Sequence, residues 1–395
     1  MDGPKVLRVP PLAILVALNA TWSSAQQLML PALSVIAKDL GTTTAGVQAI
    51  LTVYMAAVAI GQLVYGPLSD RYGRKAPLLV GLVVFTLSSV ACALAPTLPV
   101  LLLASFAQGF GACAGAVLSR AMVRDSFTSD VAAIRQGQIS MAMTIAPVIV
   151  TIAGGLLVSV IGWRSMYFIV TLAGAVLVVL IARSDETNQS RIAVERPRVM
   201  LRTYVALVTN RGFAAPALAT SLMGASFTTF CNIAPLVLQD AFGVSSTHFG
   251  QYFMMLPAGF LIGAFTSTKL IHRLGPQRTA RYGSMISVTM AVGMFALTLS
   301  GHATAALWFM AMGLVTIGQG LMAAASVVMA LSANPRLVGA ASGFLGFMTM
   351  SCSAALTQIS GLVYNGTALT TALIVVVADI AALLVLLVLQ RPVVR

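Results

Sequence analysis

The amino-acid sequence predicts an all-α integral membrane protein with twelve transmembrane helices in two pseudo-symmetric halves of six. Three observations support this fold class. Hydrophobic residues make up 58% of the 395 residues and charged residues only 8%, whereas a soluble domain carries about 25% charged residues. Long apolar runs follow one another, each close to the ~20 residues that cross a bilayer. The polar gaps between these runs hold most of the positive charge.

The apolar runs predict twelve helices separated by mostly short polar gaps. The predicted helices are residues 11–31, 47–66, 76–95, 98–119, 136–160, 164–182, 213–237, 248–268, 280–300, 303–330, 338–363 and 368–390. The long hydrophilic gap contains six arginines. The predicted organisation is therefore an N-terminal six-helix half at 1–182, a cytoplasmic linker at 183–211 and a C-terminal six-helix half at 212–395.

The two halves repeat weakly at an offset of about 202 residues, which aligns Arg71 with Arg273 and Gly73 with Gly275. Repeated six-helix halves are typical of secondary transporters. When both termini are placed in the cytoplasm, only Lys38 and Arg164 of the 23 lysines and arginines lie on the outer side of the membrane. This distribution follows the positive-inside rule. The net charge of +13 therefore indicates a lipid bilayer as partner and argues against nucleic acid. The predicted location is a bacterial inner (plasma) membrane.

The polar segment 66–75 reads Gly-Pro-Leu-Ser-Asp-Arg-Tyr-Gly-Arg-Lys. Its glycines, Gly66 and Gly73, predict close backbone approach and a tight turn. Asp70 is predicted near the positive end of the third helix. It also lies four residues before Arg74, a spacing at which opposite charges pair on a helix. A topology signal with solvated surface charge is the alternative interpretation.

This segment resembles, residue by residue, the loop signature of the major facilitator superfamily of secondary transporters. The resemblance implies a cytoplasmic latch that forms in one of two conformational states. An anionic partner is implied at the cytoplasmic end of the fourth helix. The implied gating residues are Gly66, Asp70, Arg71, Gly73, Arg74, Lys75, Arg124 and Asp125.

Within that superfamily, the sequence is similar to the Bcr/CflA drug-resistance branch over nearly the whole chain. Motifs that carry this similarity include residues 30–33, 120–125 and 340–347. The sequence departs from related transporters at three positions. Ser105 replaces an arginine, Thr151 replaces a proline, and Gln27 replaces an acidic residue of the first helix.

Candidate proton and substrate residues lie within the predicted helices. Asp379 is the only one of ten acidic residues near the middle of a predicted helix. It is the candidate for proton coupling because an intramembrane ionisable group is a functional candidate by default. Pairing with a neighbouring hydroxyl is the alternative.

Uncharged polar residues supply the candidates for the substrate cavity, which the family resemblance places mainly among helices 1, 4, 7 and 10. Each polar side chain either faces a cavity or bonds a neighbouring helix. The candidates are Asn19, Gln26, Gln27, Tyr54, Gln108 and Asn232.

The predicted function is proton-coupled secondary efflux of small apolar or amphipathic, drug-like compounds by alternating access. Its partners are a small-molecule substrate and protons, and the protein is expected to be a monomer. No enzyme activity, cofactor or metal is predicted, since the sequence has neither a Walker phosphate-binding pattern nor a metal-ligating cluster. The alternatives are a metabolite exporter or importer of sugar or amino-acid type, and a transport-inactive membrane sensor.

Overall fold

The computed structural model describes residues 10–127, 131, 135, 138–139, 146, 149–154, 156–158, 160–188, 197–244, 248–332 and 338–389. All regular secondary structure in these residues is helical. The chain divides into two compact units. The N-terminal unit comprises Met1–Leu40 and Val53–Glu195, and the C-terminal unit comprises Gly41–Thr52 and Arg196–Arg395.

Six described helices lie before residue 196. They are α1 (Leu12–Met29), α2 (Leu33–Asp39), α3 (Thr44–Tyr72), α4 (Lys75–Ala93), α5 (Leu98–Ser126) and α6 (Trp163–Ala182). Helix α4 packs against α5 and α6, and α1 packs against α5. Twelve of the 25 residues of the predicted fifth helix, 136–160, fall outside the described residues.

Eight described helices follow. They are α7 (Pro197–Thr209), α8 (Arg211–Asp240), α9 (Phe249–Phe253), α10 (Met255–Leu274), α11 (Pro276–Leu299), α12 (Ala305–Ser332), α13 (Val338–Val363) and α14 (Ala368–Leu389). Helix α12 packs against α10 and α11, while α13 and α14 pack against α8. Helix α7 lies within the segment 183–211 that the sequence predicts as a linker.

Ten helices among the described residues are long and apolar enough to cross a membrane. Helix α1 is not among the ten, and its second half is rich in polar residues such as Asn19 and Gln27. The chain then passes through a short 3₁₀ turn at Leu30–Ala32 into α2. The count of twelve spans and the division into six and six remain predictions.

The structure corrects the predicted hairpin after the second apolar run. The sequence predicts a helix at 47–66, but α3 continues through Pro67 to Tyr72. Because helical backbone hydrogen bonds do not depend on apolar side chains, the helix extends beyond the apolar run. Gly73, at φ +91°, ends it in a conformation that favours glycine. The turn is thus confined to Gly73 and Arg74.

Asp70 and Gly66 therefore lie within α3, which is also a correction. Asp70 is in the last turn of α3 rather than near the start of the next helix. A Cβ atom built on Gly66 would meet no atom within 4 Å. The close backbone approach predicted at Gly66 is therefore not found among the described residues.

Close helix crossing instead occurs at glycines deeper in the bundle. A Cβ atom on Gly111 of α5 would lie 2.5 Å from the Gly81 carbonyl oxygen and 2.5 Å from the Phe85 nitrogen of α4. Small residues let membrane helices approach to backbone contact. The α4–α5 pairing therefore depends on the absence of a side chain at Gly111.

Replacing Gly111 with leucine is expected to destabilise the protein. Backbone atoms cannot move aside like a flexible side chain, so the overpacking costs about 1–3 kcal/mol. The matched control is Gly293→Ala in α11, where an added Cβ meets no atom within 4 Å. Removing a mid-helix glycine there should gain about 0.5–1 kcal/mol. Thermal unfolding in detergent measures both changes. A Gly111→Leu protein that melts at the wild-type temperature would contradict the crossing.

Candidate functional site

The turn between α3 and α4 carries a compact charge network built around Arg74. Arg74 Nε donates to Asp125 Oδ2 at 2.7 Å, and Arg74 Nη1 forms an ion pair with Asp70 Oδ1. The same Nη1 lies 2.7 Å from the Ser69 hydroxyl oxygen. Helices α3 and α5 are therefore joined through one guanidinium. We call Asp70, Arg74 and Asp125 the arginine network.

Burial differs among the members of the arginine network. The Arg74 side chain is 9% exposed, whereas Asp125 is 22% and Asp70 is 46% exposed. Burial disfavours the charge on Arg74, but the hydrogen bonds to Asp125 and Asp70 outweigh it and raise the Arg74 pKa above its ordinary value. Asp70 lies at the negative end of α3, where the helix dipole disfavours an anion. Arg74 compensates for that placement.

Glu186, just after α6, occupies the positive end of α4. Its Oε1 accepts from the Arg74 backbone N–H at 2.8 Å, and its Oε2 accepts from the Lys75 backbone N–H at 3.0 Å. A Cβ atom on Gly73 would overlap Glu186 Oε2. Glycine is therefore favoured at position 73 by the positive φ, and a side chain there would also have to displace the carboxylate of Glu186.

Lys75 holds the end of α6 against the same turn. Its Nζ donates to the carbonyl oxygens of Ala182 at 2.9 Å and Ser184 at 2.7 Å. Lysine at a helix C-terminus satisfies carbonyls that have no partner within the helix. The start of α4 and the end of α6 are thus joined by reciprocal contacts from Lys75 and Glu186.

The structure brings together some of the predicted gating residues. Asp70, Arg74 and Asp125 meet directly, while Gly73 and Lys75 meet Glu186. The others lie elsewhere on α3 and α5: Arg71 stacks 5.1 Å above the Tyr72 ring, Arg124 is exposed, and Gly66 faces open space. Sequence reasoning missed Glu186 and Ser69.

Three predicted cavity residues bond neighbouring helices of the N-terminal unit. Asn19 Nδ2 donates to the Ala116 carbonyl oxygen at 3.0 Å and to Ser119 Oγ at 3.0 Å. The Tyr54 hydroxyl donates to the backbone of α1 at 2.6 Å, and Gln108 Nε2 donates to a serine of α4 at 2.8 Å. These bonds tie α1 to α3 and α5, and α4 to α5.

Helix α1 nevertheless retains polar atoms without a hydrogen-bond partner in the described structure. They are Asn19 Oδ1, Trp22 Nε1 and Gln27 Oε1, each buried at the atomic level. Gln26 is also buried, with its Nε2 3.7 Å from Met55 Sδ. A buried polar atom left unpaired costs about 1–3 kcal/mol. Asn19 Oδ1, Trp22 Nε1 and Gln27 Oε1 are thus the atoms of α1 for which the described structure supplies no partner.

Asn232 bonds within the C-terminal unit. Its Nδ2 donates to Thr357 Oγ1 of α13 at 3.1 Å, and its backbone oxygen accepts from Gln48 Nε2 at 3.1 Å. Asn232 is completely buried. Its contacts join α8 to α13 and to the beginning of α3.

Asp379 is completely buried among neutral polar groups of three other helices. Ser287 Oγ of α11 donates to Asp379 Oδ2 at 2.6 Å, and Gln319 Nε2 of α12 lies 3.4 Å from both carboxylate oxygens. Ser226 of α8 also faces the carboxyl, and its Oγ lies 3.5 Å from Gln319 Nε2. The hydroxyl pairing considered from the sequence is present. Gln319 Oε1 has no partner in the described structure.

The sequence matches the family model of the Major Facilitator Superfamily over residues 12–358. An uncharacterized MFS-type transporter of Bacillus subtilis, YdgK, is 31% identical over 89% of this chain and 87% of its own length. The bicyclomycin resistance protein homolog of Haemophilus influenzae is 26% identical, covering 83% of this chain and 82% of its own. Multidrug resistance protein D of Escherichia coli is 31% identical over 63% of each chain.

Solved transporters have similar folds. A nucleoside transporter, NupG, gives a TM-score of 0.75 at 16% identity, covering 96% of this chain and 99% of that chain. A D-xylose-proton symporter gives a TM-score of 0.71 at 14% identity, covering 94% of this chain and 96% of that chain. At these identities the likeness shows the fold alone.

Replacing Glu186 with alanine is expected to loosen the α3–α4 turn. The Arg74 and Lys75 amides lose a charged acceptor, and a hydrogen bond to a charged group contributes on the order of 2 kcal/mol. Trypsin should then cleave after Arg74 or Lys75 about tenfold faster or more. Peptide mass spectrometry of the detergent-solubilised protein measures the rate. Glu186→Gln keeps an oxygen acceptor and should give an intermediate rate. Wild-type cleavage of Glu186→Ala would contradict the capping role.

Proposed function

The chain belongs to the Major Facilitator Superfamily, and on that premise we propose that it exports small apolar or amphipathic compounds by proton-coupled antiport. It is an integral membrane protein of a transporter family that acts on small molecules. The observation that carries the proposal is its similarity to bicyclomycin and multidrug resistance proteins over most of the chain. The proposal has three parts, which are export of the compound, coupling to protons and alternating access.

The substrate is proposed to bind beside α1. Helix α1 has polar atoms without a partner in the described structure at Asn19, Trp22 and Gln27. A few polar atoms in an apolar site suit a ligand with a large apolar surface and a few hydrogen-bonding groups. Gln26, which is also buried in α1, is proposed as a further residue of this site. Gln27 replaces the acidic residue of related transporters, so a permanently charged cation gains no ion pair at that position.

The remaining cavity candidates are proposed to support the site rather than to contact substrate. The donor groups of Tyr54 and Gln108 are already engaged with α1 and α4. Asn232 likewise uses its side-chain amide within the C-terminal unit. Satisfied buried hydrogen bonds rigidify a core. These residues would therefore fix the helices from which the ligand-binding groups project.

The arginine network is proposed to be the cytoplasmic latch of alternating access, with both termini on the same side of the membrane. Arg74 joins α3 to α5 through two carboxylates. Asp70 is half-exposed, and partly exposed ion pairs contribute only about 0.2–1 kcal/mol each. Such ion pairs can break and form again during each transport cycle. Arg71 and Arg124 would supply further positive charge on the cytoplasmic side.

Asp379 is proposed to carry the coupled proton. The carboxyl is fully buried, and its recorded partners Ser287, Gln319 and Ser226 are neutral. A carboxylate that gains a proton removes a buried charge, and release of the proton restores it. Binding from one side of the membrane and release to the other would drive substrate in the opposite direction.

Accumulation assays separate the proposal from its alternatives. Cells with and without the protein are loaded with a panel of amphipathic dyes, sugars and amino acids, in the presence or absence of a proton uncoupler. The proposal predicts lower dye accumulation in cells that carry the protein, and loss of that difference with the uncoupler. Changes confined to sugars or amino acids would favour a metabolite transporter. No difference for any compound would favour a transport-inactive sensor and contradict the proposal.

Asp70→Asn is expected to abolish most dye efflux while the protein remains in the membrane. The substitution removes the charge of one of the two carboxylates that hold Arg74. Efflux is measured by dye fluorescence, and the amount of protein by immunoblotting of membranes. Asp240→Asn is the matched control, because Asp240 is also an exposed acid in the last turn of a helix. It should retain efflux. Wild-type flux in Asp70→Asn would refute the latch.

Asp379→Asn is expected to remove the pH dependence of flux. The amide keeps the shape of the carboxyl but does not exchange a proton in the transport cycle. Ser287→Ala is the control, since it removes one hydrogen bond to Asp379 while keeping the carboxyl. It should retain pH-dependent flux, even if the profile shifts. Flux is measured over a series of external pH values. A wild-type pH profile in Asp379→Asn would dismiss this residue as the proton carrier.

A further inference from the structure

Helix α7 presents an apolar stripe that the described chain leaves uncovered. Val205 is 54% exposed and Val208 is 50% exposed. Val205 and Val208 are three residues apart, a spacing that places both on one face of the helix. This surface lies outside the residues assigned to transport above.

The opposite face of α7 is fixed to the C-terminal unit. Leu207 is only 2% exposed and packs in a cluster with Phe213 and Ala341. The Tyr204 ring stacks on Phe344 with centroids 5.2 Å apart. Because these contacts fix the rotation of α7 about its axis, Val205 and Val208 are held facing outward.

Positive charge borders the apolar stripe. Arg202 lies within α7 and Arg211 lies two residues beyond its end, and both are exposed. The sequence contains no acidic residue between Glu195 and Asp240. The charge of this surface therefore complements an anionic partner.

The position of α7 along the chain identifies that partner. Asn210 separates α7 from α8, and its Oδ1 accepts from the Gly212 N–H at 2.9 Å. Helix α8 is one of the membrane-spanning candidates, so α7 ends where a span begins. An apolar stripe bordered by arginines at this level matches a helix lying in the membrane interface. Arginine stems follow the apolar surface while their heads reach the phosphates.

We propose that α7 is a docking surface for anionic phospholipids. Val205 and Val208 enter the boundary between headgroups and acyl chains. Arg202 and Arg211 bind the lipid phosphates. A membrane whose surface carries anionic lipid attracts each such arginine, which raises local binding by about fivefold per residue.

Hydrogen exchange in nanodiscs tests the proposal. The full chain is placed in nanodiscs of phosphatidylcholine alone, or of phosphatidylcholine mixed with phosphatidylglycerol, and exchange is followed in peptides covering residues 197–209. Slower exchange is expected with phosphatidylglycerol at low salt, and the difference should shrink at high salt. Equal exchange in both nanodiscs would overturn the proposal.

Variants identify the source of the protection. Arg202→Gln should reduce the preference for phosphatidylglycerol by about fivefold, whereas Arg202→Lys keeps the charge and should retain it. Arg278→Gln is the matched control, since Arg278 is an exposed arginine in the first turn of α11. It should behave as the wild type. Glycerol phosphate added to phosphatidylcholine nanodiscs should give no protection. Protection equal to that of phosphatidylglycerol would contradict a lipid surface.

Discussion

The absence of water from the bilayer interior is the constraint on which this structure depends. Every backbone amide and buried polar side chain in the spans needs a partner inside the protein. The long helices satisfy the backbone, and bonds such as those of Asn19 and Gln108 satisfy side chains while tying helices together. Buried polar atoms without a partner are therefore exceptions that point to function. Gln27 Oε1 and Gln319 Oε1 lack partners in the described structure, one on helix α1 and the other beside the buried carboxyl of Asp379.

Charge is concentrated at the ends of helices, where water is available to replace a broken bond. Arg74 is shared by Asp70 and Asp125, and Glu186 binds the backbone at the start of α4. The two sets of contacts have different characters. Glu186 and Lys75 join consecutive helices into a fixed turn, whereas the half-exposed Asp70 can exchange Arg74 for water at little cost. A rigid turn carrying an exchangeable ion pair suits a gate that must open repeatedly.

The helices were largely predictable because bilayer thickness sets the length of each apolar run. The ends of the helices were less predictable, because α3 continues beyond its apolar run and includes Asp70. The Asp70–Arg74 pair was predicted from helical spacing, and Asp125 was predicted as the anionic partner from the family resemblance. Glu186 was not predicted, because it lies 112 residues from Arg74 and no local periodicity connects them. It is one of three acidic residues in a segment with six arginines, and nothing in the sequence distinguishes it from the other two. The partners of Asp379 come from separate helices, whose facing surfaces only tertiary packing defines.

The central claim is that an imposed proton gradient drives an amphipathic compound through this chain. Purified protein is reconstituted in liposomes that enclose a pH-sensitive dye, and a pH gradient is imposed across the membrane. The account predicts that adding an amphipathic substrate dissipates the gradient faster than in protein-free liposomes, with the compound moving against the proton flow. A gradient that decays at the same rate with and without substrate, across a broad panel of compounds, would contradict it.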